Sequence, residues 1–312
     1  MLSVILPTYN EEDNIEKVYN AVKNILNPEG IEFELVYVND GSKDFSFDKV
    51  KELSEKVNDC LITGVSFSRN FGKEAAILAG LTHASGDVCA VMDCDLQHPP
   101  EVLVSMYRMW EQGFEVIEGV KRTRGRENFL YRDFANLFYK LITKSTGVNM
   151  ERASDFKMMD RKVVDEYIKL PERNIFFRAV SSWMGYKCAT VEFDVHERAS
   201  GRTKWSLKSL VRYAVGSICS FTTAPMQLIT IMGCVFFAFA LILGFQSLYR
   251  WAYGSALEGF TTVILLLLII GSLIMLSLGI IGYYLSKIYE EIKQRPRYIV
   301  SDMVSSKGKN NL

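Results

Sequence analysis

Residues 86–101 read GDVCAVMDCDLQHPPE. An apolar run gives way to two carboxylates two residues apart, Asp93 and Asp95, and then to prolines that open a helical pattern, PPEVLVSMYRMWEQ. A buried strand that ends in acids and feeds a helix is a building block of a parallel, doubly wound sheet. Like charges this close raise each other's pKa and work against folding. A divalent cation between them removes that cost. With Gln97 as a third oxygen donor, the set suits Mg2+ or Mn2+ shared with substrate phosphates. A turn or cap role for the two aspartates is the plainer reading, because D-x-D alone is a short motif.

The same pattern recurs upstream. LSVILP, EFELVYVND and CLITGVSFS read as strands, and EEDNIEKVYNAVKNIL and KEAAILAGLTHA as helices. In the first helix Ile15, Val18, Tyr19, Val22, Ile25 and Leu26 share one face, and Asn10 is placed to cap it. In such sheets ligands bind off the carboxyl ends of the strands. The polar segments fall at those ends: PTYNEE after the first strand, NDGS after the second, SRNFGKE after the third and DCDLQH after the fourth.

Each segment has a functional and a plainer reading. Asp40-Gly41-Ser42 is turn chemistry, yet Asp40 also suits a nucleobase or ribose. Arg69, Asn70 and Lys73 precede a helix, whose N-terminus attracts a diphosphate; the alternative is a solvated pair with Glu74. KRTRGRENFLYRD holds Lys121, Arg122, Arg124, Arg126 and Arg132. It is mostly a solvated charge run, with one or two members placed to clamp a phosphate. Asp155, in ASDFKMMDRKVVDEY, precedes a short strand and a helix, as a cap or near a reacting carbon.

The 312 residues carry 36 basic and 36 acidic side chains, a balance that argues against nucleic-acid binding. The six cysteines form no C-x-x-C pair and read as small buried hydrophobes of a reducing compartment. The opening MLSVILPTYNEED turns polar after six residues, so no secretory signal is expected.

The last third differs. No charge occurs between Arg212 and Arg250 or between Glu258 and Lys287. Each gap exceeds the roughly 20 residues that cross a bilayer. MQLITIMGCVFFAFALILGFQSLY and FTTVILLLLIIGSLIMLSLGIIGYYL are the expected spans, joined by RWAYGSALEG as a hairpin. Both flanks are basic, which places both ends of the hairpin in the cytoplasm. Before the first span, Lys204, Lys208 and Arg212 flank an apolar stripe of Leu207, Leu210, Val211, Ala214 and Ile218, with Trp205 alongside. That is an amphipathic helix lying on the membrane, an anchor or a holder of a lipid phosphate. Gly271 and Gly279 are small-residue positions for packing against the other helix or against a second copy in a homo-oligomer.

Taken together, VILPTYNEEDNI, VNDGSKD, SRNFGKEAA, DCDLQHPPE, ASDFKMMDRKV and ERASGRTKWS resemble the family-2 glycosyltransferases, and within them the polyprenyl-phosphate enzymes of the bactoprenol glucosyltransferase and dolichol-phosphate mannose synthase type. The resemblance covers nearly the whole chain. It implies an α/β, GT-A (Rossmann-like) domain with a mostly parallel sheet over residues 1–200. An interfacial helix follows at 201–221, then a two-helix transmembrane hairpin at 222–286 and a cytoplasmic tail at 287–312. It further implies that Pro7, Tyr9, Glu11, Asp40, Ser42, Lys73 and Asp93 line the nucleotide-sugar pocket and that Asp93, Asp95 and Gln97 hold the metal. Asp95 and Asp155 are the catalytic candidates. Arg122, Arg132, Arg198 and Lys204 are candidates for phosphate contacts. Processive members carry Q-x-x-R-W; the comparable ERNIFFRAVSSW lacks it, which favours one transfer over polymer growth.

The activity implied is inverting transfer of one sugar, foremost glucose from UDP-glucose, to undecaprenyl or another polyprenyl phosphate at the cytoplasmic face of the cell membrane. The product is a lipid-linked sugar for cell-surface glycans. GDP-mannose, UDP-N-acetylglucosamine or a UDP-aminoarabinose derivative as donor, and a glycan or diacylglycerol as acceptor, are the alternatives. A membrane scaffold without turnover has no need of such a metal site.

Overall fold

In the computed structural model the apolar run of residues 88–91 lies inside a sheet of eight strands. The structure describes residues 1–122, 154–172, 177–178, 183–194, 224–253 and 260–306. The first part of the chain alternates strand and helix: β1 (Leu2–Thr8), α1 (Ile15–Leu26), β2 (Phe33–Asn39), α2 (Ser46–Lys56), β3 (Leu61–Phe67), α3 (Lys73–His83), β4 (Val88–Val91), α4 (Glu101–Glu111) and β5 (Val116–Lys121). Then come β6 (Lys157–Asp160), α5 (Arg161–Lys169), β7 (Cys188–Phe193), two long helices, α6 (Ala224–Ala252) and α7 (Phe260–Ile292), and β8 (Val300–Ser305).

The strand order is β7-β5-β6-β4-β1-β2-β3-β8. β1 to β4 run parallel, as do β5 and β7; β6 and β8 run antiparallel to their neighbours. The chain has the α/β fold with a mostly parallel sheet that its sequence predicts. Every residue of β2 is buried, as expected of a strand covered on both faces. Val4, Leu6, Leu35 and Tyr37 face one apolar cluster with residues of α1, α2 and α4. Val36, Val38 and Val65 face another, filled by Ala75, Ala76 and Ala79 of α3. The small residues of α3 let that helix lie close against the sheet.

Two compact units are present: Met1–Ser206 with Arg295–Leu312, and Leu207–Gln294. The C-terminal segment therefore belongs with the sheet. The expected tail at 287–312 divides, with α7 continuing to Ile292 and residues 300–305 forming an edge strand on β3. No local pattern marks this strand, because VSDMVS is short and mixed and pairs with residues more than 230 positions away. The two expected spans fall within α6 and α7. Among the described residues one stretch, Ile269–Ile292, is long and apolar enough to cross a membrane, and Ile229–Leu243 is a shorter apolar stretch. The interfacial helix expected at 201–221 lies outside the described residues. Asn10 does not cap α1. Its backbone is left-handed (φ 56°) and its side-chain oxygen accepts from the Lys43 N–H, tying two loops together. Of the cysteines, Cys89 and Cys94 are buried as expected, whereas Cys188 and Cys234 are exposed.

Candidate active site

The parallel strands β3, β2, β1 and β4 are neighbours, so the four loops at their carboxyl ends meet at one edge. There they enclose a cavity of about 360 Å3 lined by Pro7, Thr8, Tyr9, Glu11, Asp40, Asn70, Gly72, Lys73, Ala76, Asp93, Cys94 and Asp95. The sheet thus brings together eight sequence-named residues: Pro7, Tyr9, Glu11, Asp40, Asn70, Lys73, Asp93 and Asp95.

Asp40 is 4% exposed, and its two oxygens accept the backbone N–H groups of Phe71 (2.6 Å) and Gly72 (2.9 Å). Burial pushes its pKa up against those two hydrogen bonds. Gly41 makes the contact possible. Its φ is +63°, and a Cβ there would lie 2.4 Å from the Arg69 carbonyl carbon. Ser42 is not part of the lining; its hydroxyl accepts the Asn10 N–H at 2.9 Å and braces the two loops.

The turn after β4 presents the paired acids. Leu96 takes a left-handed backbone (φ 57°), a conformation that costs an ordinary residue roughly 1–2 kcal/mol and is found where a site demands it. Asp95 accepts the Gln97 backbone N–H at 3.0 Å, so Gln97 serves the turn through its main chain and its side chain is not in the lining. The Asp93 N–H donates to Nδ1 of His98 at 3.3 Å. His98 is buried and stacks on Phe156 at 4.8 Å. Burial lowers its pKa, in keeping with an unprotonated, accepting Nδ1.

Lys73, the first residue of α3, does not pair with Glu74. Its Nζ lies 2.5 Å from Asp93 Oδ1 and 2.7 Å from Asp155 Oδ2. Asp155 sits behind Lys73 rather than on the cavity wall, gripped in addition by Arg178 (Nε to Oδ1 2.6 Å, Nη2 to Oδ2 2.8 Å). Burial opposes its charge, but Lys73 and Arg178 outweigh that and hold Asp155 well below the usual carboxylate range. Lys73 is 39% exposed; burial disfavours its charge, and the two carboxylates more than offset this, so it stays protonated. The Arg178 carbonyl accepts from Lys157 Nζ, which also pairs with Glu118 at 2.5 Å. Glu74 accepts the Phe177 N–H; burial first, then the neighbouring Asp155 charge, pushes it up to about 7.

His98, Arg178 and Lys157 carry no signal in the sequence, which names Glu74 only as a solvated partner for the cations before α3. Arg178 lay in ERNIFFRAVSSW, but only the fold shows that it reaches Asp155. Arg122 pairs with Asp194 at 3.2 Å on the exposed end of β5. Arg132, Arg198 and Lys204 lie outside the described residues.

Among the described residues no group of three His, Cys, Asp or Glu side chains could by itself hold a metal ion. Two carboxylates at an open cavity are still enough for a cation that keeps waters and substrate phosphates as its other ligands. The donor set is one of oxygens: burial pushes the Cys94 thiol up, away from the thiolate that a soft metal prefers. The residues present therefore fit Mg2+ or Mn2+ bound together with a diphosphate.

Residues 3–168 match the family described as glycosyl transferase family 2. An uncharacterized glycosyltransferase of Synechocystis, sll0501, is 36% identical over 304 residues, 97% of this chain and 95% of its own length. YkcC of Bacillus subtilis, also an uncharacterized glycosyltransferase, is 37% identical over 300 residues, covering 96% of this chain and 92% of its own. The prophage bactoprenol glucosyl transferase homolog of Escherichia coli is 36% identical over 301 residues, 96% of this chain and 98% of its own.

Proposed function

The chain is a glycosyltransferase and belongs to glycosyl transferase family 2, and on that premise we propose that it transfers one glucose from UDP-glucose to a polyprenyl phosphate at the cytoplasmic membrane surface. The convergence of Asp40, Lys73, Asp93 and Asp95 on one cavity carries this reading. Support for the acceptor comes from the relative named as a bactoprenol glucosyl transferase homolog and from two long apolar helices whose large side chains, such as Phe237 and Met275, are exposed.

Pro7, Tyr9, Glu11 and Asp40 bind the nucleoside end of the donor, and Ser42 fixes the loops that shape it. Asp93 and Asp95 would hold the metal together with the diphosphate, and Gln97 sets the Asp95 turn. Bound there, Mg2+ or Mn2+ supplies electrophilic stabilisation of the leaving diphosphate. Lys73, at the N-terminus of α3, adds positive charge beside it. A phosphate oxygen of the acceptor attacks the anomeric carbon from the face opposite the diphosphate. The bond from that carbon to the diphosphate breaks, its electron pair leaves with the nucleotide, and the configuration inverts. A phosphate monoester is already ionised near neutral pH, since its second pKa is about 6. No general base is required, and Asp155, held far below the usual range, acts as a fixed charge that orients Lys73. Arg122, Arg132, Arg198 and Lys204 are the proposed acceptor-phosphate contacts.

Helices α6 and α7 form the proposed transmembrane hairpin. Both Met1–Ser206 and Arg295–Leu312 belong to the sheet-bearing unit, so an even number of crossings between them fits the fold. The purified protein with undecaprenyl phosphate, Mn2+ and labelled UDP-glucose should yield a lipid-extractable hexosyl phosphate of the expected mass. Parallel reactions with GDP-mannose, UDP-N-acetylglucosamine and a UDP-aminoarabinose derivative test the donor. Transfer to diacylglycerol or a glycan, and none to the lipid phosphate, would overturn the acceptor.

A further inference from the structure

We infer that Tyr298, in the segment that follows the apolar helices, is a positioning residue for the donor cavity, acting through Phe67 and Phe71 on the loop that clasps Asp40. This rests on the reading of that cavity as the nucleotide site. The loop of residues 68–72 supplies Asn70 and Gly72 to the cavity wall, and its Phe71 and Gly72 N–H groups donate to Asp40. It has no regular structure of its own, and Gly72 within it has φ +98°. Its placement therefore depends on what packs behind it.

The C-terminal segment is what packs there. Tyr298 stacks on Phe67 with ring centroids 4.9 Å apart and 17° between planes. Phe67 meets Phe71 edge-on at 5.7 Å, and the Arg69 guanidinium lies 4.5 Å over the Phe71 ring. The Ser68 N–H donates to the Ile299 carbonyl at 3.0 Å. The segment is itself fixed at both ends. The Arg297 guanidinium donates to the Leu170 carbonyl, and the Ser301 hydroxyl donates to the Ser66 carbonyl at 3.1 Å before β8 pairs with β3. A ring stacked at that position fixes Phe67, which fixes Phe71, whose N–H holds the Asp40 carboxylate. The Tyr298 hydroxyl has no hydrogen-bond partner among the described residues, so the ring and not its polar tip does the positioning.

The full chain in detergent is compared with Tyr298→Ala, Tyr298→Leu and Tyr298→Phe. Removing the ring should raise both the donor KM and the Kd for UDP with Mn2+ by about tenfold, since a loop no longer held in place must be ordered on binding. At saturating donor, kcat should stay within about twofold. Amide exchange in the peptide over residues 68–73 should quicken by about tenfold without any nucleotide. Tyr298→Phe should behave as wild type, and Tyr298→Leu keeps the comparison alive should the alanine variant fold poorly. Unchanged exchange at residues 68–73, or a fall in kcat at constant KM, overturns the inference. Faster exchange in a protein that binds no nucleotide would leave the buttress standing and remove the donor-site reading instead.

Discussion

Lys73 touches two carboxylates that belong to different parts of the chain, and its neighbours differ in what they would lose without it. Asp93 lies on the cavity and Asp155 behind it, 8% exposed as a side chain and also held by Arg178. Asp155→Ala would leave Arg178 and Lys73 facing each other without the buried carboxylate between them, Lys73 keeping only Asp93. The expected cost is about 3 kcal/mol of stability, together with lost activity, and chemical denaturation would measure it. Asp95→Asn keeps the shape of the turn, because an amide oxygen still accepts the Gln97 N–H. Its melting temperature should stay close to wild type while turnover falls about 100-fold or more, and metal titration should show weaker Mn2+ dependence. Glu74 carries the pH signature. Its carboxyl is pushed up to about 7 in the folded chain, against an ordinary 4.5. The native state therefore binds that proton more tightly than the unfolded state, and stability falls as pH rises from about 4.5 to about 7. Asp155 has the opposite sign, and its contribution is lost only as pH drops below the ordinary 3.8. Glu74→Gln should flatten the decline of the melting temperature between about pH 5 and 8, and a decline of unchanged slope would remove Glu74 as its source.

At the scale of elements, the site depends on how closely loops and helices approach. Gly41 brings the loop after β2 against the backbone of Arg69 and Asn70, where a Cβ would meet main-chain atoms at 2.4 Å and 2.6 Å. Because backbone cannot step aside as a side chain can, and because the φ is left-handed, Gly41→Ala should part the two loops that Asp40 joins. Donor affinity should drop about tenfold or more, read by titration calorimetry, with a stability loss of about 2 kcal/mol. Four of the strand-and-loop units were readable from local pattern alone, since β1 to β4 are apolar runs that each end in polar loops at one edge. That is why the acids, Lys73 and the Tyr9 loop are legible in the sequence. Helix α2 escaped that reading because SFDKVKELSEK buries little beyond Ser46, Val50, Leu53 and Ser54. The Asp155–Arg178 clasp escaped because it is tertiary, and the His98–Asp93 contact, though only five residues apart, because a main-chain N–H donating to a ring nitrogen across a turn leaves no mark in residue type. Nothing in the Arg178 segment marks Asp155 as its partner, and a part-buried arginine–carboxylate pair looks in sequence like two solvated charges.

For the whole molecule, the decisive constraint is that the chain leaves the sheet-bearing unit near residue 206 and rejoins it near residue 295. Strand β8 pairs with β3 from Thr63 to Phe67, and Lys51 bridges to Asp302 at 2.7 Å. Separating the two across a bilayer would leave β3 without a partner on one side and strand the backbone of β8, each unpaired group costing about 1–3 kcal/mol. An odd number of crossings between residues 207 and 294 is thus incompatible with the sheet, whatever the flanking charges favour. The charges then choose the face: Lys287, Lys293, Arg295 and Arg297 after α7 favour the cytoplasm. For the proposed hairpin this gives one topology, with the RWAYGSALEG link on the far side. A reporter active only outside the cytoplasm, fused within that link, should be active, and the same reporter fused after residue 312 should be silent. Activity at the C-terminus, with silence both at the link and at a fusion before residue 1, would put β8 and β3 on opposite sides of the membrane, and with it the positioning of the 68–72 loop by Tyr298 would fall.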